Sequence, residues 1–164
     1  MENLESRRAW QYEFDLDGDK EGWKLYHAVA AAENGNLIVT AQENYATNKY
    51  DVQIYMDAME VDASLYNKVS VRIKPKYLPS KIDGSFASRY IFKIYFATVS
   101  SPSFNEQRAM YVDLKTLVPD HEGYYNITFE MSNNAYWQGT ISGIRLDPTN
   151  QNGVFYFDYI RLSG

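Results

Sequence analysis

A carboxylate set in an apolar strand needs a partner, and Val154-Phe155-Tyr156-Phe157-Asp158-Tyr159-Ile160-Arg161-Leu162 contains one. Both faces of such a strand are apolar enough to be buried, and a buried ionised group is costly unless a cation or hydrogen-bond donors compensate it. Asp158 therefore calls for an arginine such as Arg145, or for a bound metal. The chain has no cysteine and only two histidines, His27 and His121, so a metal here would be a hard cation in an oxygen cage, hence Ca²⁺. The residue chemistry leaves both partners open.

Asp15-Leu16-Asp17-Gly18-Asp19-Lys20-Glu21-Gly22 also offers oxygen ligands at alternate positions. As an EF-hand loop opened at Asp15 it fails, with Lys20 where glycine is required, Tyr26 where a bidentate glutamate is required, and a strand in place of the preceding helix. A solvated acidic turn is the better reading. Neither histidine sits in a nucleophile or metal motif. The chain is therefore read as a non-enzyme.

Rings are what the sequence has in quantity: Tyr 15, Phe 8 and Trp 3. A pyranose offers an apolar C–H face that stacks on an aromatic ring, while amides and charged groups take its hydroxyls. Outward-facing candidates for that chemistry are Tyr45, Tyr50, Tyr55, Tyr95 and Trp137, with Gln53 and Arg89 as polar company. Trp10 and Trp23 frame the first strand and its turn and are assigned to the core.

Elements that position such residues are read from periodicity. Trp10, Tyr12, Phe14 and Leu16 alternate with polar residues, as do Tyr125, Ile127, Phe129 and Met131, and Tyr90, Phe92, Ile94 and Phe96 hold the same period, the pattern of half-buried strands. Further strands are expected at 24–32, 36–41, 51–56, 66–74, 108–114, 140–146 and 154–162, about ten in all. With no helical spacer they must form two sheets or a barrel. The expectation is an all-β, two-sheet antiparallel sandwich of the jelly-roll kind, one domain over 1–164. Two connections, Pro75 to Ser88 and Val99 to Gln107, are longer than a hairpin needs, and long loops on a rigid scaffold often carry function.

Sixteen basic against 21 acidic residues give a net charge of −5 with no basic run, which argues against nucleic acid. No stretch approaches the roughly 18 apolar residues of a membrane span, so no membrane partner is expected. Met1-Glu2-Asn3-Leu4 opens no signal peptide. If the protein is exported, the leader lies outside this chain.

End to end, the sequence resembles bacterial jelly-roll modules of the galactose-binding-like fold, found beside glycoside hydrolases and in surface-layer proteins. The resemblance rests on Trp10-x-Tyr12-x-Phe14-Asp15-Leu16-Asp17-Gly18-Asp19-Lys20-Glu21-Gly22-Trp23, on Asn34-Gly35-Asn36-Leu37, on Lys68 to Lys74, and above all on Trp137-Gln138-Gly139-Thr140-Ile141-Ser142-Gly143-Ile144-Arg145-Leu146-Asp147-Pro148 with Phe157-Asp158-Tyr159-Ile160-Arg161-Leu162. It implies a secreted or surface-attached carbohydrate-binding module that carries a catalytic or surface domain to a polysaccharide, plant cell-wall β-glycans such as xylan or β-glucan being the expected ligands. It also implies a structural calcium between first and last strands, held by Asp15, or Glu13 if the register slips, and Asp158. A structural or adhesive domain of a cell-surface protein is the alternative, with a jelly-roll lyase or hydrolase behind it.

Overall fold

The computed structural model describes residues 10–44, 49–76, 90–148 and 153–164. The strands are β1 (Gln11–Tyr12), β2 (Lys24–Tyr26), β3 (Ala28–Glu33), β4 (Asn36–Ala41), β5 (Glu43–Asn44), β6 (Lys49–Tyr50), β7 (Gln53–Met56), β8 (Val61–Asp62), β9 (Lys68–Pro75), β10 (Ile91–Thr98), β11 (Ala109–Asp113), β12 (Tyr125–Glu130), β13 (Thr140–Asp147) and β14 (Val154–Ser163). Twelve of them make two six-stranded sheets. The first runs β12-β9-β14-β4-β3 with β1 also on β14; the second runs β11-β10-β13-β7-β2 with β8 also on β13; β5 and β6 pair separately. Every pairing is antiparallel, as the expected sandwich requires.

Alternation delivers the core. Phe92, Ile94 and Phe96 of β10 and Ile144 and Leu146 of β13 meet Val69, Val71 and Ile73 of β9 and Phe155, Phe157, Ile160 and Leu162 of β14, all buried. Aromatic contacts cross the layer, Phe92 lying 6.1 Å from Phe129 and 6.4 Å from Phe157 between ring centroids.

Two expected strands differ from their periodicity for a backbone reason. Segment 24–32 divides at His27, whose φ of 50° lies in the left-handed region that side chains other than glycine seldom enter. That corner ends β2 in the second sheet and starts β3 in the first. Segment 10–16 shrinks to β1, because Trp10 and Phe14 also have positive φ, 60° and 54°. The acidic turn after it is held by its own carboxylates: Glu21 accepts from the Phe14 N–H, Asp19 from the Glu21 N–H and Asp17 from the Asn34 N–H.

Of the two long connections, Pro75 closes β9 and Lys76 donates its N–H to the Val154 carbonyl at 2.8 Å, while 77–89 lies outside the described residues. The 99–107 connection turns back at Thr98–Ser101 and leads into a short 3₁₀ turn, Glu106–Arg108, capped by the Asn105 side chain. Phe104 leans onto Gly143 of β13, where a Cβ would stand 3.2 Å from the ring and 2.9 Å from the Met56 carbonyl oxygen. Only glycine lets loop and strands close there.

Candidate functional site

The outward side chains of the second sheet form two registered rows. In one, Ala109 of β11 faces Tyr95 of β10, which faces Arg145 of β13, then Tyr55 of β7, then Lys24 of β2. In the other, Tyr111 faces Lys93, Lys93 faces Asp147, and Gln53 faces Tyr26; continuing the β13–β7 register by one residue sets Asp147 beside Gln53. Four tyrosines thus span five adjacent strands, and the four strand intervals from Tyr111 to Tyr26 amount to roughly 19 Å.

The rings differ in what covers them. Tyr111 and Tyr26 are 62% and 46% exposed, Tyr26 resting edge-on against His27 with centroids 4.1 Å apart. Tyr55 is half-buried. Tyr95, only 8% exposed, lies under two cations: the Arg145 guanidinium is 4.2 Å from its centroid and Lys93 Nζ 4.8 Å. Its hydroxyl donates to Glu106 Oε1 at 3.1 Å.

Each cation on this face is paired. Arg145 makes a bidentate contact with Asp147, at 2.8 and 2.7 Å, Lys93 donates to Glu106, and Lys24 lies 2.9 and 3.0 Å from the two oxygens of Asp57. Gln53 Nε2 donates to Asp51 at 3.1 Å. The Lys93 ammonium holds the Glu106 carboxyl below the usual carboxylate range against the opposing effect of burial, with help from Tyr95. Asp147 is the reverse case, where burial outweighs Arg145 and pushes the carboxyl up. The pairs fix donors and acceptors in place between the exposed rings, so little side-chain entropy remains to be lost when a ligand arrives.

The first sheet's outer face answers the question raised by Asp158. In β14 the pairing with β9 slips between Phe157 and Tyr159, so Asp158 is the extra residue of a bulge. A bulge resets the alternation. Phe157 and Ile160 both face the core, while Asp158 and Tyr159 between them are part-exposed. Asp158 meets Arg72, with Nη1 to Oδ2 at 2.6 Å, in place of the expected Arg145. Arg72 also reaches Asp120 at 2.9 Å and Glu122 at 3.1 Å. Burial would raise the Asp120 carboxyl, but hydrogen bonds from Asn126, the Tyr124 N–H, Arg72 and the Glu122 N–H hold it well below the usual range.

The residues named for calcium are engaged or open to solvent in this structure. Glu13 is held by Arg161 at 2.7 and 2.6 Å, Asp158 by Arg72, and Asp15 is exposed. Among the described residues no three His, Cys, Asp or Glu side chains gather as a metal cluster. Chelation is accordingly expected to leave the melting temperature unchanged. A site filled at a hundred times its Kd would add about 2.7 kcal/mol, or roughly 5–10 °C for a chain of this size, so a calorimetric scan in EDTA against one in CaCl₂ decides it.

Of the residues expected to bind sugar, Gln53, Tyr55 and Tyr95 share the second sheet's outer face, Tyr95 as a ring beneath cations, where an exposed platform was expected. Tyr45 and Arg89, and the side chain of Tyr50, lie outside the described residues. Trp137 is corrected to core: it is 6% exposed, edge-on to Phe96 at 5.0 Å, and donates its indole N–H to the Tyr66 carbonyl at 3.0 Å. Tyr26, Tyr111, Lys93, Glu106, Arg145 and Asp147 are members of the face that reading the sequence alone did not pick out.

No protein-family model and no curated protein matches the sequence significantly. Solved structures do match the fold. A CBM29-2 mutant complexed with cellulohexaose, from carbohydrate-binding module family 29, aligns at a TM-score of 0.56 and 9% identity, over 96% of this chain and 94% of that one. A CBM4 structure aligns at 0.55 and 12% identity, over 93% and 96%. This chain shares the two-sheet β-sandwich fold of those structures. A CBM29-2 mutant complexed with mannohexaose also aligns, at 0.52 and 9% identity, over 94% and 91% of the two chains. At these identities the likeness is one of β-sandwich architecture, and site residues have to be argued from this chain itself.

Proposed function

We propose that this chain is a non-catalytic carbohydrate-binding module, exported or surface-borne, that holds a glycan across the outer face of the second sheet and concentrates a covalently attached polysaccharide-processing domain on its polymer. The observation that carries this reading is the registered row set, with open rings at Tyr111 and Tyr26, the half-buried ring of Tyr55, and Lys93, Arg145, Asp147 and Gln53 between them. Rings of this kind stack on pyranose C–H faces, and fixed donors and acceptors take up hydroxyls. A platform of roughly 19 Å suits a run of several sugar rings better than a single one. Among the described residues of this face, Glu106 pairs with Lys93 and Asp147 with Arg145, an arrangement that suits holding a ligand in place better than acid–base exchange between two carboxylates.

Cellohexaose and mannohexaose chemistry in the structural neighbours, together with the resemblance in sequence, makes β-linked plant cell-wall glycans the first ligands to try. Affinity-gel electrophoresis against soluble xylan, β-glucan and glucomannan, with a parallel assay for released reducing ends, tests the reading. Retardation on at least one polymer without release of sugar is expected. Migration unaffected by every polymer would overturn the binding role, and release of sugar would overturn the non-catalytic one.

A further inference from the structure

Along most of the first sheet's outer face the polar side chains are engaged with one another. Arg72 takes Asp120, Glu122 and Asp158, Arg161 takes Glu13, and Ser70 Oγ stands 3.2 Å from Thr128 Oγ1. The turn joining β3 to β4 is different. Among the described residues no hydrogen bond or ion pair claims the side chain of Glu33 or that of Asn34. Both border a groove of about 370 Å³ with Tyr156, Ile38, Tyr124 and Lys74, within the range of roughly 300–1,000 Å³ typical of small-ligand sites.

The groove is built from the register. Lys74 of β9 faces Tyr156 of β14, Tyr156 faces Ile38 of β4, and Ile38 faces Ala31 of β3. A ring and a branched aliphatic side chain therefore lie next to each other on its floor. Lys74 Nζ sits 5.2 Å from the Tyr124 centroid and 6.0 Å from that of Tyr156, and donates to the Glu122 carbonyl at 3.3 Å, so the ammonium is held between the rings. Tyr124 is fixed in turn by its hydroxyl, which donates to Asn36 Oδ1 at 2.8 Å. The Asn34-Gly35 turn has both residues at positive φ, 52° and 78°, the conformation of a tight two-residue hairpin turn. It sets the Glu33 carboxylate and the Asn34 amide at the rim.

We propose that this groove is a second, smaller carbohydrate site, on the other side of the sandwich from the tyrosine platform, which takes a chain end or short branch. Tyr156 and Ile38 receive the C–H face of one ring, Glu33 accepts from a pair of hydroxyls, and the Asn34 amide and Lys74 complete the hydrogen bonding. The proposal rests on the carbohydrate reading of the chain, and the test separates the two.

Amide shifts of the ¹⁵N-labelled chain are followed on titration with cellohexaose and with mannohexaose, in the unaltered protein and in the variant Tyr26→Ala/Tyr111→Ala. The expected result is that shifts at Glu33, Asn34, Lys74 and Tyr156 persist in the double variant, and that Glu33→Ala, an exposed position whose loss leaves the fold intact, weakens them about tenfold, as removal of a charged acceptor should. Tyr156→Ala serves as a second variant with the same expected loss. Shifts confined to the second sheet, and gone in the double variant, would make this a one-site module and sink the second site alone. No shifts anywhere with either hexasaccharide would remove the second site together with the reading beneath it.

Discussion

Alanine at both Tyr26 and Tyr111 is expected to abolish retardation on whichever polymer binds, with the thermal unfolding curve unmoved. The two rings sit on the edge strands β2 and β11 and are 46% and 62% exposed, so neither supports the core and truncation exposes nothing beneath. As ligand platforms they behave as interface aromatics do, each worth about 2 kcal/mol, which is roughly thirtyfold in affinity. They stand four strand intervals apart, so their effects should add and the pair should cost on the order of a thousandfold. Titration calorimetry on the double variant measures this directly. If affinity held within threefold, the glycan would have to lie elsewhere on the sandwich, however well the rows are aligned. Tyr95→Phe makes a useful contrast: the ring stays under Arg145 and Lys93 while the bond to Glu106 is lost, so a modest effect through the position of those cations is expected.

Much of the fold is legible because alternation is a local property. Phe92, Ile94 and Phe96 on β10, or Ile127 and Phe129 on β12, declare an inward face without reference to any neighbour. What lies across from each strand is another matter. Tyr111, Lys93 and Asp147 come from three separate stretches of chain and share a row only through the register of β11, β10 and β13, and register is fixed by long-range pairing. Reading outward positions by parity would have marked Tyr111, between Met110 and Val112, as a surface ring. Nothing local says which rings it joins.

The misreadings have backbone causes. His27 at a φ of 50° moves the chain from one sheet to the other, and no glycine, proline, asparagine or aspartate stands within two residues of it to announce the corner. At Asp158 a one-residue bulge shifts the parity of β14. A strand taken as buried on both faces is therefore buried on one, and the carboxylate that called for a metal meets Arg72 on a part-exposed surface. Arg161 and Arg72 lie on the same outer face and each takes a carboxylate.

Trp137 is the residue on which the sequence and the structure give opposite predictions. As a sugar platform, its replacement by alanine would remove binding and spare the fold. The structure instead places it between the two sheets, packed edge-on against Phe96 with its indole N–H on the Tyr66 carbonyl. Trp137→Ala is thus expected to destabilise the chain by about 3–5 kcal/mol, the cost of emptying a large aromatic site in a core, plus the penalty of leaving a backbone carbonyl short of its donor. For a domain of this size that is a fall in melting temperature of roughly 10 °C or more. Trp137→Phe refills much of the volume and loses only the hydrogen bond, so it should melt within a few degrees of the parent and still be retarded. Urea unfolding and gel retardation on the two variants separate the alternatives: a fully stable Trp137→Ala that no longer binds would return this tryptophan to the glycan, whereas an unstable alanine variant beside a binding phenylalanine variant fixes it in the core. The second result would leave recognition to tyrosines alone, held on adjacent strands of one sheet with ion pairs between them.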